Sequence, residues 1–205
     1  MTTLVLVRHG HTDTAGKRLT GLTRGVRLNE RGRAEADRLV ERLDGVRVDA
    51  IVSSPLERCR ETAAPLAKAR GLAVRIRRAW IEVDYGDWTG RPIAGLRRTR
   101  LWRTVMAAPS NARFPNGESF SEMQHRIVST LDRLRAAHPG GTIVCVSHAD
   151  PIKAAVAHAL GTHLDLFQRI VISTCAISVL VFTAGGPAVL AVNSTGGSLK
   201  ELRAS

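Results

Sequence analysis

Leu4-Val5-Leu6-Val7 is an unbroken apolar run that stops abruptly at Arg8-His9-Gly10. A strand that is apolar on both faces needs cover on both sides, so the run predicts a buried strand of the kind found in parallel sheets. Open α/β sheets hold their ligands just beyond the carboxyl ends of such strands. An arginine and a histidine are therefore delivered to the edge of the sheet where chemistry is expected.

The rest of the chain alternates strand and helix signals. Residues 11–27 are polar and punctuated by glycine, and Asn29 can cap a helix from 30 to about 43 whose apolar face is Ala34, Leu39, Val40 and Leu43. A second strand is expected at 50–53. Ser54-Pro55-Leu56-Glu57 reads as a capping box with proline at the first helical position, which puts Arg58 in the helix's first turn. A short strand follows at 73–76. From 79 to 118 no clean period holds, and the stretch reads as an insertion over the sheet edge. Phe120, Met123, Ile127, Leu131 and Leu134 recur at helical spacing, predicting an amphipathic helix from 119 to about 137. Strands at 142–146, 176–182 and 188–192 and a helix at 150–160 complete the pattern. The alternation predicts an α/β fold of three layers, a mostly parallel central sheet with helices on both faces. No linker interrupts the 205 residues, so one domain is expected over 1–205, with a cap-like insertion at about 79–118.

Composition narrows the function. The formal charge of +12 comes almost wholly from arginine, since lysine occurs only at Lys17, Lys68, Lys153 and Lys200. The excess is spread along the chain and reads as a solvated basic surface, or more sharply as a field that attracts anions. A nucleic-acid or polyanion-binding module would want a continuous basic stripe with stacking aromatics; with aromatic residues at 4% neither is visible, and no nucleic-acid partner is expected. Cys59, Cys145 and Cys175 lack metal-ligand spacing and read as reduced, buried hydrophobes, so no metal and no organic cofactor is implied. No signal-peptide pattern and no membrane-spanning apolar run is present, which predicts a soluble, cytoplasmic protein with no membrane partner. The oligomeric state stays open, a dimer included.

Three further segments give the first triplet its meaning: Ser53-Ser54-Pro55-Leu56-Glu57-Arg58, then Trp80-Ile81-Glu82-Val83-Asp84-Tyr85-Gly86-Asp87-Trp88-Thr89-Gly90, then Val144-Cys145-Val146-Ser147-His148-Ala149. In this order they resemble the histidine phosphatase superfamily, relatives of the cofactor-dependent phosphoglycerate mutases, over a span from Leu4 to about Phe182. Within that family the chain is similar to short actinobacterial members described as probable phosphomutases or phosphatases, especially through Ser147-His148-Ala149-Asp150-Pro151-Ile152-Lys153 and Leu166-Phe167-Gln168-Arg169-Ile170-Val171. The resemblance implies a phosphoglycerate mutase-like fold. It also implies a metal-independent phosphomonoester hydrolase acting on a small phosphorylated metabolite through a phosphohistidine. A phosphomutase using the same chemistry is the alternative; the short stretch between Gly90 and Ser119 favours hydrolysis.

Each candidate residue has its own physical warrant. His9, the nucleophile that the resemblance implies, needs one bare ring nitrogen facing outward and the other holding its proton on a backbone carbonyl. Arg8 and Arg58 offer planar forks for phosphate oxygens, and Arg58 gains from a helix amino terminus. The resemblance gives His148 a hydrogen bond to the transferring group. Glu82 is the expected proton donor, because a desolvated carboxyl beside phosphate has a raised pKa; Asp84, two residues on, competes for that role. The resemblance also carries a departure: many relatives have a phosphate-binding asparagine where this chain has Ala15. Thr12 is the nearest polar substitute, and Ala149 stands where glycine is frequent. His11 lies beside the expected pocket. If the insertion covers the site, some of Arg91, Arg97, Arg98, Arg100, Arg103 and Arg113 would reach the substrate, with Trp102 as a ring wall and Trp88 in the core.

Overall fold

A computed structural model describes residues 1–199, so the end of the expected 1–205 domain, Lys200 included, lies outside the described residues. In chain order the elements are β1 (Thr2–Arg8), α1 (Glu30–Arg42), β2 (Ala50–Ser53), α2 (Glu57–Arg70), β3 (Val74–Ile76), α3 (Ile93–Leu96), α4 (Arg100–Ala107), α5 (Phe120–Ala137), β4 (Thr142–Ser147), α6 (Ala149–Ala159), β5 (Ile177–Thr183) and β6 (Gly186–Ser194). Single 3-10 turns occupy Arg78–Trp80, Gly86–Trp88, Pro109–Asn111 and Leu164–Arg169. The sheet order is β3-β2-β4-β1-β5-β6. The pairs from β3 through β1 are parallel, and β5 runs against both its neighbours.

Strand alternation splits the core into two layers, one on each face of the sheet. Leu4, Leu6, Val52, Cys145 and Leu180 pack with Met123, Ile127 and Leu131 of α5 and Ile152 and Val156 of α6. Val5, Val7, Ile51, Val144 and Val181 pack with Leu39 of α1 and Cys59, Ala63 and Leu66 of α2. The expected three-layer, mostly parallel α/β architecture is the one observed. Each fully buried aliphatic side chain contributes about 1.5–3 kcal/mol by leaving water, and the helices are held by this packing more than by intrinsic propensity.

One expected start signal is wrong. The capping box at Ser54-Pro55-Leu56-Glu57 does not form: the N-cap of α2 is Leu56, which makes no side-chain cap bond, and the helix begins at Glu57. The Ser54 hydroxyl is instead 2.9 Å from Nε2 of His148, with a longer contact of 3.4 Å from the Leu56 N–H. A buried imidazole outcompetes the helix for that hydroxyl, although Arg58 still falls in the first turn. The reciprocal box occurs at the start of α5, where Ser119 Oγ accepts from the Glu122 N–H and Glu122 accepts from the Ser119 N–H. The stretch without a period, 79–118, folds as short turns and the two small helices α3 and α4. No helix among the described residues is long and apolar enough to cross a membrane.

The amino end of α1 pins the loop after β1. The Asn29 side chain accepts from the Gly32 N–H, and Glu35 Oε2 accepts from the His11 N–H at 3.0 Å. A Cβ at Gly32 would run into the backbone of His11, and one at Gly10 would meet the Gly32 carbonyl. Two glycines thus let the helix approach the segment that carries His9. Gly32→Ala should cost about 1–3 kcal/mol through this clash. Urea denaturation measures it, and an unchanged midpoint would show that the contact can relax freely.

Candidate active site

Parallel pairing of β1 with β4 sets Arg8 beside Ser147, so His9 and His148 follow at the same level of adjacent strands. Their ring centroids are 5.2 Å apart with planes inclined at 65°. The His9 Nδ1 is 2.8 Å from the Gly10 carbonyl, which can only accept, so Nδ1 carries the proton and the tautomer is assigned. Nε2 is then left with a bare lone pair. Burial first, and then the positive charges of Arg58 and Arg8, hold the His9 pKa well below its ordinary value, so the ring is neutral at neutral pH.

Both candidate arginines are anchored by backbone carbonyls. Arg58 Nη2 donates to Gly21 O at 2.7 Å and Arg8 Nη1 donates to Ile172 O at 2.6 Å. Each also has a buried Nε–H without a hydrogen-bond partner. A buried unpaired donor costs about 1–3 kcal/mol, and phosphate oxygens are acceptors that would relieve it. Arg58 lies wholly inside the protein, and no acid is within ion-pair distance of it among the described residues.

His148, the N-cap residue of α6, is fully buried and is not among the residues that line the cavity. Its Nδ1 is 3.2 Å from Arg58 Nη2. A guanidinium has nothing to accept with, so Nδ1 is the acceptor and Nε2 carries the proton toward Ser54 Oγ. Burial and the Arg58 charge push the His148 pKa well below its usual value.

Glu82 follows the 3-10 turn Arg78–Trp80, which Ser147 and Arg126 hold by hydrogen bonds to the carbonyls of Trp80 and of Ala79 and Ile81. The Glu82 carboxyl is buried, takes one N–H bond from Val83 and lines the cavity. Burial and then the negative charge of Asp150 push its pKa up to about 7. Asp84 turns the other way. Its carboxylate accepts from the Gly86 N–H at 3.0 Å and does not reach the cavity, so of the two competing carboxyls only Glu82 faces it.

The cavity encloses about 270 Å³. Arg8, His9, Arg58, Glu82, Thr12 and Ala149 all line it, as does Ala15. Where Ala15 leaves a gap in polar contacts, a chain of hydroxyls runs from Thr12 through Thr14 to Thr20, with Thr12 and Thr20 on the wall. His11 is drawn away to the Asn29 side chain. None of the six arginines of the insertion lines the cavity; all are exposed, as solvated arginines are, and none meets the conditional expectation that some would reach the substrate. Besides Glu82, the insertion contributes Tyr85, Ile93, Trp102, Val105 and Phe114, while Trp88 is buried in the core. Sequence reasoning missed Tyr85, Asp150, Lys153 and Gln168. Tyr85 Oη donates to Asp150, and Lys153 bridges Asp150 and Gln168. The available signal was the i,i+3 spacing of Asp150 and Lys153 in the helix that follows His148.

The raised pKa of Glu82 has a consequence for stability. Between its ordinary value of 4.5 and about 7, the folded protein keeps a proton that the unfolded chain has released, so stability falls as pH rises through that window. Glu82→Gln removes this loss. At pH 8 the variant should exceed wild type by roughly 3 kcal/mol, with little difference at pH 4. Denaturation at both pH values tests this, and an equal gap at each would mean that Glu82 is an ordinary carboxylate.

The model of the histidine phosphatase superfamily, branch 1, matches residues 4–195. Phosphoserine phosphatase 1 of Hydrogenobacter thermophilus is 31% identical over 198 residues, which is 95% of this chain and 93% of that protein. A bifunctional protein of Mycobacterium tuberculosis is 33% identical over 201 residues, and there the match covers 95% of this chain but only 54% of the relative. Among solved structures, a mycobacterial glucosyl-3-phosphoglycerate phosphatase superposes with a TM-score of 0.84 at 28% identity, covering 94% of this chain and 98% of the other. With a family match across nearly the whole described chain and the motif residues gathered at one sheet edge, this protein belongs to the histidine phosphatase superfamily.

Proposed function

We propose that the protein is a phosphomonoester hydrolase of small phosphorylated metabolites, using His9 as nucleophile and requiring no metal. The observation that carries this reading is the His9 Nδ1–H bond to Gly10 O, which leaves Nε2 bare beside two arginines that have unpaired Nε–H groups and a carboxyl poised near neutrality.

In the first step the Nε2 lone pair attacks phosphorus. The bond from phosphorus to the ester oxygen breaks, and that oxygen takes its proton from Glu82. Arg8 and Arg58 stabilise the charge spread over the equatorial oxygens, which grows more favourable to them as the bond breaks. His148 acts through Arg58: its Nδ1 accepts from the guanidinium and holds it toward the phosphoryl oxygens, in place of the direct hydrogen bond that the resemblance implies. In the second step water attacks the phosphohistidine, Glu82 recovers a proton from it, and the P–N electron pair returns to Nε2 as inorganic phosphate leaves. Thr12 and the amino end of α6 at Ala149 supply further contacts to the phosphate. Residues 79–118 act as a cap over the leaving group. The three buried free thiols suit a reducing compartment, which supports reading the protein as cytoplasmic.

Leaving-group dependence tests the roles. In EDTA, wild type should release inorganic phosphate from both ethyl phosphate and p-nitrophenyl phosphate. Glu82→Gln should lower kcat/KM for ethyl phosphate by about 10²–10⁴-fold and affect p-nitrophenyl phosphate far less, because that phenolate departs without a proton. Asp84→Asn should affect the two esters alike. A selective loss in Asp84→Asn alone would move the acid to Asp84. Transfer of phosphate to a second hydroxyl in place of release would make the enzyme a mutase.

A further inference from the structure

The inner part of the cavity has the groups for phosphate, so its outer part decides which alcohol is accepted. Beyond Glu82 and Tyr85, the side chains that the insertion turns to the cavity are apolar: Ile93, Trp102, Val105 and Phe114. Trp102 and Val105 lie three residues apart on one face of α4, and Ile93 joins them from α3. Their positions are fixed before any ligand arrives. Trp102 stacks on buried Trp88 at 6.3 Å with planes 23° apart, and its N–H is capped by Thr99. The Ile93 N–H is held by the carbonyl of Lys17. Trp102 and Ile93 nevertheless remain partly open to solvent, so a ligand seated there would displace water from apolar surface.

The cluster of Lys153, Asp150 and Gln168 on the wall offers little net charge. Lys153 Nζ is 3.1 Å from Asp150 Oδ1 and 3.0 Å from Gln168 Oε1, and the other Asp150 oxygen accepts from Tyr85. The lysine's charge is thereby matched inside the protein, and the cluster can hydrogen-bond a hydroxyl but has no free cation for a carboxylate. Arg18 also lines the cavity and has no acid within ion-pair distance among the described residues; it is exposed, with one N–H on the Gly90 carbonyl, so water and salt screen its charge.

Resting on the hydrolase reading above, we infer that this cavity selects phosphomonoesters of small apolar or aromatic alcohols over those whose alcohol carries a second anionic group. Phosphoserine and glucosyl-3-phosphoglycerate, named for two of the relatives, both carry such a group. In this chain the insertion's six arginines are all exposed and line no part of the cavity.

Non-hydrolysable phosphonates read the preference without turnover. In titration calorimetry, 2-phenylethylphosphonate should bind the full chain about tenfold or more tighter than 2-carboxyethylphosphonate. Trp102→Ala and Ile93→Ser should each shrink that ratio severalfold, while Arg103→Ala, on the solvent face, should keep it. Equal or tighter binding of the carboxylate compound overturns the inference, as does a ratio that survives both wall substitutions. Hydrolysis of 2-phenylethyl phosphate, assayed in parallel, separates the two claims. Preference without turnover would sink the hydrolase reading alone, and turnover without preference would sink the selectivity alone.

Discussion

The parallel pairing of β1 and β4 is the constraint from which the site follows. Because Arg8 lies beside Ser147, the chain leaves both strands at one level and must place His9 and His148 together. Everything that fixes these two turns is backbone or buried: the Gly10 carbonyl on Nδ1, the close approach of Gly32 in α1, the hydroxyl of Ser54 and the guanidinium of Arg58. A one-residue slip in this pair would exchange side chains between the two core layers and separate the imidazoles.

Charge is arranged around those rings in an unusual way. Two buried imidazoles stay neutral because burial and the neighbouring arginines both oppose protonation, and the same burial holds Glu82 near neutrality despite those arginines. Asp150 adds to the effect on Glu82 while its own charge is matched by Lys153. The result is a neutral nucleophile, a protonatable acid and cations whose remaining donors suit an anion. Such a set is costly to bury unless it serves a reaction.

How much of this was legible in the sequence depended on whether the signal was local. Leu4–Val7 and Thr142–Val146 are continuous apolar runs that fit no exposed element, so the strands and the residues at their ends could be placed. Arg58 was placed for the wrong reason, since the apparent capping box gave way to the bond between Ser54 and His148, residues 94 apart in the chain. The choice between Glu82 and Asp84 needed the Asx turn at Gly86, which alternation alone does not reveal. Charge counting could not decide the insertion, because a run rich in arginine does not say which way its side chains turn. Asp150 and Lys153 resemble an ordinary surface pair on a helix and gained meaning only when the start of α6 was seen to face the cavity.

The central claim is that His9 carries the phosphoryl group. Rapid-quench labelling with a ³²P-phosphoester, followed by proteolysis and peptide mapping, tests it directly. Label that is stable in base, lost in acid and confined to the peptide holding His9 is the expected result. Label on any other residue, or burst-phase phosphate release from an enzyme that never carries label, would contradict it.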